Sequence, residues 1–389
     1  MPSLICRQAI SKALENGQAL LKFISPNDAG LTGSHQCGFY LPKKCYEMFT
    51  PQFPEEGVNH RHPVRVTWQG DLVTDSVVAW YGRGTRSEYR LTKFGRDFPF
   101  LREDAVGNLL VLVPRDQSNF FAYVLTSDED MEELQAVLSV ELIGSWGCYS
   151  GLSLPLEVED ECINEKFFKL VSDISDFPDG QTLSEHTWCV LSECINGFFR
   201  MQSDDQLLRV FREEYRLFRL VEAKLCGSDI RQRFSNIGDF LKVASSIMNR
   251  RKSRAGRSFE NHVERIFRNA SIPCEMRSSQ VDGKPDIVVP GGNEYNDKSW
   301  PDEKLFVIGL KTTCKDRWRQ VLNEGSRVPL KHLITLQEGI SSNQLTEMAE
   351  SRISLIVPEE IQKNYPAGGP MDILSLSSFL ENIKTALNP

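Results

Sequence analysis

The chain has 389 residues, of which 40% are hydrophobic and 25% charged, and its formal net charge is −8. That length holds two domains with separate cores, and the balance is that of a globular protein rather than a disordered or fibrous one. An acidic chain has no diffuse attraction for polyanions, so any nucleic-acid contact must come from a local basic patch.

No window is long and apolar enough for a membrane span, and the segment after Met1 has no signal-like apolar run, so no membrane partner is expected. Ten cysteines occur without a CxxC pair and six histidines without HExxH spacing, which argues against zinc. Reduced thiols and a cytoplasmic location are expected. No glycine-rich P-loop occurs, so no nucleotide cofactor is expected.

In chain order, residues 10–23 show helical apolar spacing, and the polar, glycine-rich SPNDAGLTGSHQCGFY follows as a loop. HPVRVTWQG, VTDSVVAWYG, NLLVLVPR and FFAYVLTS are short β-branched and aromatic runs separated by turn signals, with VELIGSWGCY as a closing element. They predict a mainly-β barrel or sandwich with a few helices. Two loops here are chemically rich. One gathers Lys22, Ser25, Asn27, Asp28, His35 and Tyr40; the other, GRGTRSEYRLTKFGR, carries Arg83, Arg86, Glu88, Arg90, Lys93 and Arg96. Each reads either as a solvated hairpin or as a surface that holds phosphates and reads base edges.

Residues 172–186, SDISDFPDGQTLSEH, have the composition of a hinge, with the boundary near Pro178. TLSE offers a capping box from Thr182 or Ser184 into a helix carrying Val190, Leu191 and Ile195. DDQLLRVFREEYRLFRLVEAKLC predicts a long amphipathic helix, with Arg209, Arg212, Arg216 and Arg219 on its charged side. The basic run 250–257 then precedes a helix from Ser258 carrying Glu260, with Arg250, Arg251, Lys252 and Arg254 as phosphate contacts. Later segments alternate: a strand over 333–336, a helix with Gln344 and Met348, the strand in RISLIVPEEI and the helix SLSSFLENIKTAL. That alternation predicts an α/β domain with a mixed sheet.

The most informative stretch is 283–327. Residues 287–289 and 305–310 read as strands, Asp286 opens the first and Lys311 ends the second. Helical spacing then runs through Trp318, Val321 and Leu322 to Gly325, with Glu324 in the last turn. An acid and a lysine converging at a sheet edge point to metal-dependent phosphodiester hydrolysis, since Mg²⁺ needs only one or two carboxylates. The usual second carboxylate, two residues before the lysine, is replaced by Gly309, so Glu324 is the candidate substitute. Asp286 and Glu324 are the expected metal ligands, Lys311 assists catalysis, and Glu260 and Thr312 support it.

This Pro-Asp, strand lysine and helical glutamate resembles the variant pattern of the Cfr10I, NgoMIV and SsoII restriction endonucleases. The segment 311–320, KTTCKDRWRQ, resembles the signature of the EcoRII group within it. The resemblance implies that Lys315, Asp316 and Arg317, with Arg319 beside them, read G·C pairs. LLKFISPNDAGLTGSHQCGFYLPK resembles the EcoRII-type amino-terminal effector domain, a DNA-binding pseudobarrel in which Lys22, His35, Tyr40, Arg86, Glu88 and Arg90 would contact a second copy of the site.

The reading is therefore an effector pseudobarrel over 1–171, a hinge over 172–186 and a restriction-endonuclease-like catalytic domain over 187–389. The resemblance implies a Mg²⁺-dependent type II restriction endonuclease acting on double-stranded DNA as a homodimer. It also implies cleavage of a CCWGG-like site before the first C, a flipped central pair, and activation by a second bound site. A DNA-binding regulator with a degenerate nuclease domain, and a nuclease of this fold with a different or modified target, stay open.

Overall fold

The computed structural model describes residues 2–32, 37–51, 53–84, 87–142, 144–151, 160–231, 233–366 and 368–387. The chain divides into two compact units. One holds 1–153, 337–345 and 363–370; the other holds 154–336, 346–362 and 371–389. The main break therefore falls at 153/154, ahead of the expected hinge. Residues 172–186 contain the end of one helix and the start of the next.

The first unit is built on an eight-stranded sheet in the order β2-β5-β4-β3-β7-β6-β1-β8. The strands are β1 (Gln18–Phe23), β2 (Phe39–Leu41), β3 (Asn59–Trp68), β4 (Val73–Tyr81), β5 (Glu88–Thr92), β6 (Leu109–Pro114), β7 (Asn119–Leu125) and β8 (Trp146–Ser150). Neighbours run antiparallel except β3 and β7. The two-residue period of β1 sends Leu20 to one side and Ala19, Leu21 and Phe23 to the other. The second side is covered by α1 (Leu4–Asn16) and α2 (Asp128–Leu138). The first side faces an aromatic interior with Phe39 of β2, Trp68 of β3 and, partly buried, Trp146 and Cys148 of β8. Both edge strands reach that interior, and the thiol of Cys45, in the turn after β2, hydrogen-bonds with that of Cys148 in β8. A sheet whose edges approach in this way is the expected pseudobarrel.

Two local readings are corrected. The helix expected over 10–23 ends at Asn16, because Gly17 takes the left-handed conformation (φ 69°) that stops a helix. LLKF then pairs with both β6 and β8, and sheet formation overrides its helical spacing. The loop expected over 82–96 contains β5, which pairs with β2 and β4.

The second unit is an α/β domain. Its five-stranded mixed sheet has the order β13-β12-β11-β10-β9, from β9 (Glu275–Met276), β10 (Ile287–Val289), β11 (Phe306–Lys311), β12 (Lys331–Thr335) and β13 (Ile353–Ile356). β11 pairs antiparallel with β10 and parallel with β12. Four helices pack together: α3 (Glu161–Asp173) on α4 (Gly180–Cys194) and α5 (Ser203–Arg231), and α6 (Ile237–Asn269) on α4 and α5, with α6 reaching β11 of the sheet. Buried hydrogen bonds tie them: Trp188 Nε1 donates to His262 Nδ1 at 3.0 Å, and Ser184 donates to Glu214.

α4 is capped by Asp179, whose side chain accepts from Thr182 N, rather than by the expected Thr182 or Ser184. Cys162 and Cys194 form a disulfide joining α3 to α4, where reduced thiols were expected. The basic run 250–257 lies inside α6 rather than before it. Arg254 is buried against the rings of Phe211, Tyr215 and Phe218, and Arg251 binds Glu222 at 2.7 and 2.9 Å. In α5, Arg216 binds Glu213 of its own helix and Asn164 of α3, and Arg209 and Arg219 pair with Glu213 and Glu222 along the helix. Arg216, Arg251 and Arg254 thus join helices together, while Lys252 stays exposed.

Candidate active site

Register decides which side chains meet. Ile287 lies opposite Ile308 and Val288 opposite Val307, which carries Asp286 opposite Gly309. Asp286, Gly309 and Lys311 thus share one face of the sheet. Asp286 Oδ2 accepts from Leu310 N at 2.7 Å and from Lys311 Nζ at 2.9 Å, while its Oδ1 takes neither bond.

Glycines bring the second carboxylate onto that face. α7 (Gly292–Asn296) and α8 (Trp318–Val321) follow β10 and β11. Val321 packs so closely on Gly309 that a Cβ there would lie 2.5 Å from its Cγ2. At Gly283 (φ +73°), a Cβ would lie 2.7 Å from Glu324 Cα. The missing side chain at 309 is therefore what admits α8 and the segment after it. α8 stops at Val321, so Glu324 sits on the bend beyond the helix and not in its last turn.

Glu324 is mostly buried, and its Oε2 accepts no hydrogen bond. Burial and then the negative charge of Asp286 push its carboxyl up to about 7, against the opposing pull of Lys311 and Lys331. Glu260 of α6 also reaches this field: burial raises its carboxyl, Asp286 adds to that, and Arg277, its ion-pair partner, opposes it. Among the described residues no cluster of three or more His, Cys, Asp or Glu side chains is placed to hold a metal. Two carboxylates, one with a buried unpartnered oxygen, still fit a hard divalent cation that keeps most of its water.

The other expected residues lie around this centre. Thr312 is half-buried and its carbonyl accepts from Thr335 Oγ1. Lys315 is buried, Asp316 exposed and Arg317 half-buried just ahead of α8. Arg319 is exposed, lies over the Trp318 ring at 4.5 Å and binds Glu347 at 2.6 Å. The sequence reading missed Arg277, Asp282 and Lys331. The available signal was a lysine opening the otherwise apolar strand KHLIT.

The amino-terminal cluster is organised differently. Lys22 is 2% exposed, with its ammonium bound to Asp28 and to Phe23 O. Asp28, fully buried, also accepts from Tyr40 N at 2.7 Å and from Ser25 N and Oγ at 2.8 Å. Tyr40 lies opposite Arg90 in the β2–β5 pair, and burial raises its hydroxyl. Arg90 is buried and binds Glu88 Oε1 at 3.1 Å. His35 and Arg86 lie outside the described residues.

Comparison with known proteins identifies the architecture. Residues 14–142 match the family model "Restriction endonuclease EcoRII, N-terminal", and residues 218–380 match "EcoRII C terminal". Over 397 aligned residues, covering 95% of each protein, the chain is 31% identical to the type II restriction enzyme EcoRII of Escherichia coli. The chain belongs to the EcoRII family of type II restriction enzymes.

As an EcoRII-family enzyme it is a site-specific deoxyribonuclease, with an amino-terminal DNA-binding pseudobarrel and a restriction-endonuclease-like α/β domain. The type II restriction enzyme SsoII of Shigella sonnei is 25% identical over 151 residues, 36% of this chain and 48% of that protein. Among solved structures, metal-depleted Ecl18kI in complex with uncleaved, modified DNA has a TM-score of 0.44 and 19% identity, over 58% of this chain and 84% of that one. A PspGI–substrate DNA complex has a TM-score of 0.44 and 15% identity, over 55% and 94%. Among the described residues, no helix of the EcoRII-family chain is long and apolar enough to cross a membrane.

Proposed function

We propose that this EcoRII-family chain hydrolyses double-stranded DNA with Mg²⁺ at a short palindromic, G·C-flanked site, CCWGG-like and cut before the first C. The observation that carries the chemistry is the buried, unpartnered oxygen of Glu324 beside Asp286 and Lys311 on one face of the sheet. Asp286 and Glu324 hold the cation, which supplies the charge that acidifies a water and shields the scissile phosphate. Leu310 N–H and the Lys311 ammonium fix Asp286 Oδ2, so the carboxylate is oriented before the cation arrives. Lys311, the cation nearest the ligand pair, steadies the attacking water and the crowded phosphate oxygens. Glu260 and Thr312 support this centre from α6 and from the residue after Lys311.

Lys315, Asp316, Arg317 and Arg319 contribute target recognition. Arg and Lys donate to guanine, and Asp accepts from cytosine N4. A homodimer cuts both strands, because a palindrome is matched by two-fold symmetry. The amino-terminal domain binds a second copy through the Lys22–Tyr40 and Arg86–Arg90 loops, with His35 and Glu88 among them, and that binding activates cleavage. In this role the buried Lys22 and Arg90 set loop shape.

The test is plasmid cleavage with Mg²⁺, followed by sequencing of the ends. Lys311→Ala is expected to lower cleavage by about 10²–10³-fold with DNA binding kept. Full-speed cutting by a folded Lys311→Ala protein would exclude this active centre. Single-site DNA should be cut faster when an oligoduplex carrying the site is added.

A further inference from the structure

We propose that Lys331 is a positioning residue for the metal-ligating Glu324, a role that rests on the active centre proposed above. Lys331 opens β12 and is buried, and its ammonium donates to Gly325 O at 2.6 Å and to Val328 O. Those carbonyls belong to the turn that leaves Glu324, so one buried cation ties both ends of 325–328. Val328 itself packs on Val307 of β11, and Gly325 (φ +55°) lies so close to Val307 that a Cβ would meet its Cγ2 at 2.6 Å.

The other side of the turn is tied by Asp282. Its carbonyl accepts from Gly325 N and its Oδ2 from Ser326 N, both at 2.8 Å, while Oδ1 accepts from Tyr295 OH at 2.7 Å. Tyr295 OH in turn accepts from Arg327 N at 2.9 Å. The turn is thus held from β12 and from the loop before β10.

An ammonium in this place does more than a neutral tether. Burying a charged lysine on backbone carbonyls costs desolvation energy that an apolar side chain of the same length avoids. That cost is offset here by the two carbonyl bonds the ammonium makes, both on the turn that leaves Glu324. Glu324 has no hydrogen bond of its own to orient Oε2, so the backbone beneath it must be fixed instead.

The experiment titrates Ca²⁺ calorimetrically into the full-length chain and measures Mg²⁺-dependent cleavage in parallel. Lys331→Met is expected to weaken Ca²⁺ affinity about ten-fold or more and to lower kcat, while KM for DNA stays within about two-fold. A purely structural lysine would lower the melting temperature and leave the Ca²⁺ affinity of the folded protein unchanged, and that result would overturn the proposal. If Lys331→Met does not fold by circular dichroism, Asp282→Ala decides through the same turn: weakened Ca²⁺ binding supports the proposal, and native affinity overturns it. Glu324→Gln serves as the reference. Should native protein and Glu324→Gln bind Ca²⁺ equally, the underlying active centre fails instead.

Discussion

Lys22 with Asp28, and Lys311 with Asp286, are both lysine–aspartate pairs beside the end of a β-strand, yet their electrostatic conditions are opposite. Around Asp28 both carboxylate oxygens are engaged, by Lys22, Ser25 and the Tyr40 backbone. The charges cancel and the loop is fixed. Around Asp286 a second carboxylate is forced into the same field, half of it unbonded, and held so that its proton leaves only near pH 7. The first arrangement is complete without a ligand; the second carries an excess of carboxylate that the proposed cation would balance. Buried charge that is satisfied marks architecture, and buried charge left unsatisfied marks chemistry.

The largest expected effect breaks the first half of that comparison. Asp28→Ala strands a buried lysine and should destabilise the pseudobarrel by about 3–5 kcal/mol. Chemical denaturation followed by tryptophan fluorescence would report it. Replacing both partners together, Lys22→Met with Asp28→Leu, should cost less than Asp28→Ala alone, since no uncompensated charge is then buried. If Asp28→Ala is nearly neutral, Lys22 is not held as described and is available for another role.

A smaller effect sharpens the second half. Gly309→Ala places a methyl 2.5 Å from Val321 Cγ2, so α8 or the Glu324 bend must move away from the sheet. Overpacking of this kind costs about 1–3 kcal/mol. It should also lower cleavage, because the displaced group is the proposed metal ligand. Adding Val321→Ala removes the clash, and the double variant should cleave faster than Gly309→Ala. Equal rates would mean that the glycine does not set the ligand geometry.

These two sites also separate what was legible in the chain from what was not. Asp286 and Lys311 were readable because strand periodicity alone fixes which face their side chains take, and the observed register agrees. Gly309 was readable as a departure, but its reason was not, since Val321 reaches it only after the chain has folded back. Glu324 was singled out as a candidate ligand but placed in the last turn of a helix, whereas it lies on the bend beyond it. The helix ends early because the glycine contacts and the Asp282 and Lys331 bonds, from distant positions, hold the turn. The burial of Lys22 and Arg254 was not legible for a related reason: their partners, Asp28 and the α5 rings, meet them only in the fold.

The subtlest expected effect concerns Glu324 and pH. Its carboxyl is ordinary in the unfolded chain, near 4.5, and is pushed up to about 7 in the folded one. The folded state therefore holds this proton more tightly, and the stability so conferred is complete below about pH 4.5. It is lost progressively as pH rises through 7, and above that the ionised carboxylate is a constant penalty. Glu324→Gln has no such proton. In the presence of EDTA, its melting temperature relative to native protein should rise between pH 4.5 and 7 and then level off. Saturating Ca²⁺ at pH 8 should reverse the order, since a cation bound to the native carboxylates stabilises only the protein that holds it. A melting difference that is flat across pH 4–9 would mean that Glu324 titrates as it does in the unfolded chain. The imbalance that separates this site from the Lys22–Asp28 pair would then be absent.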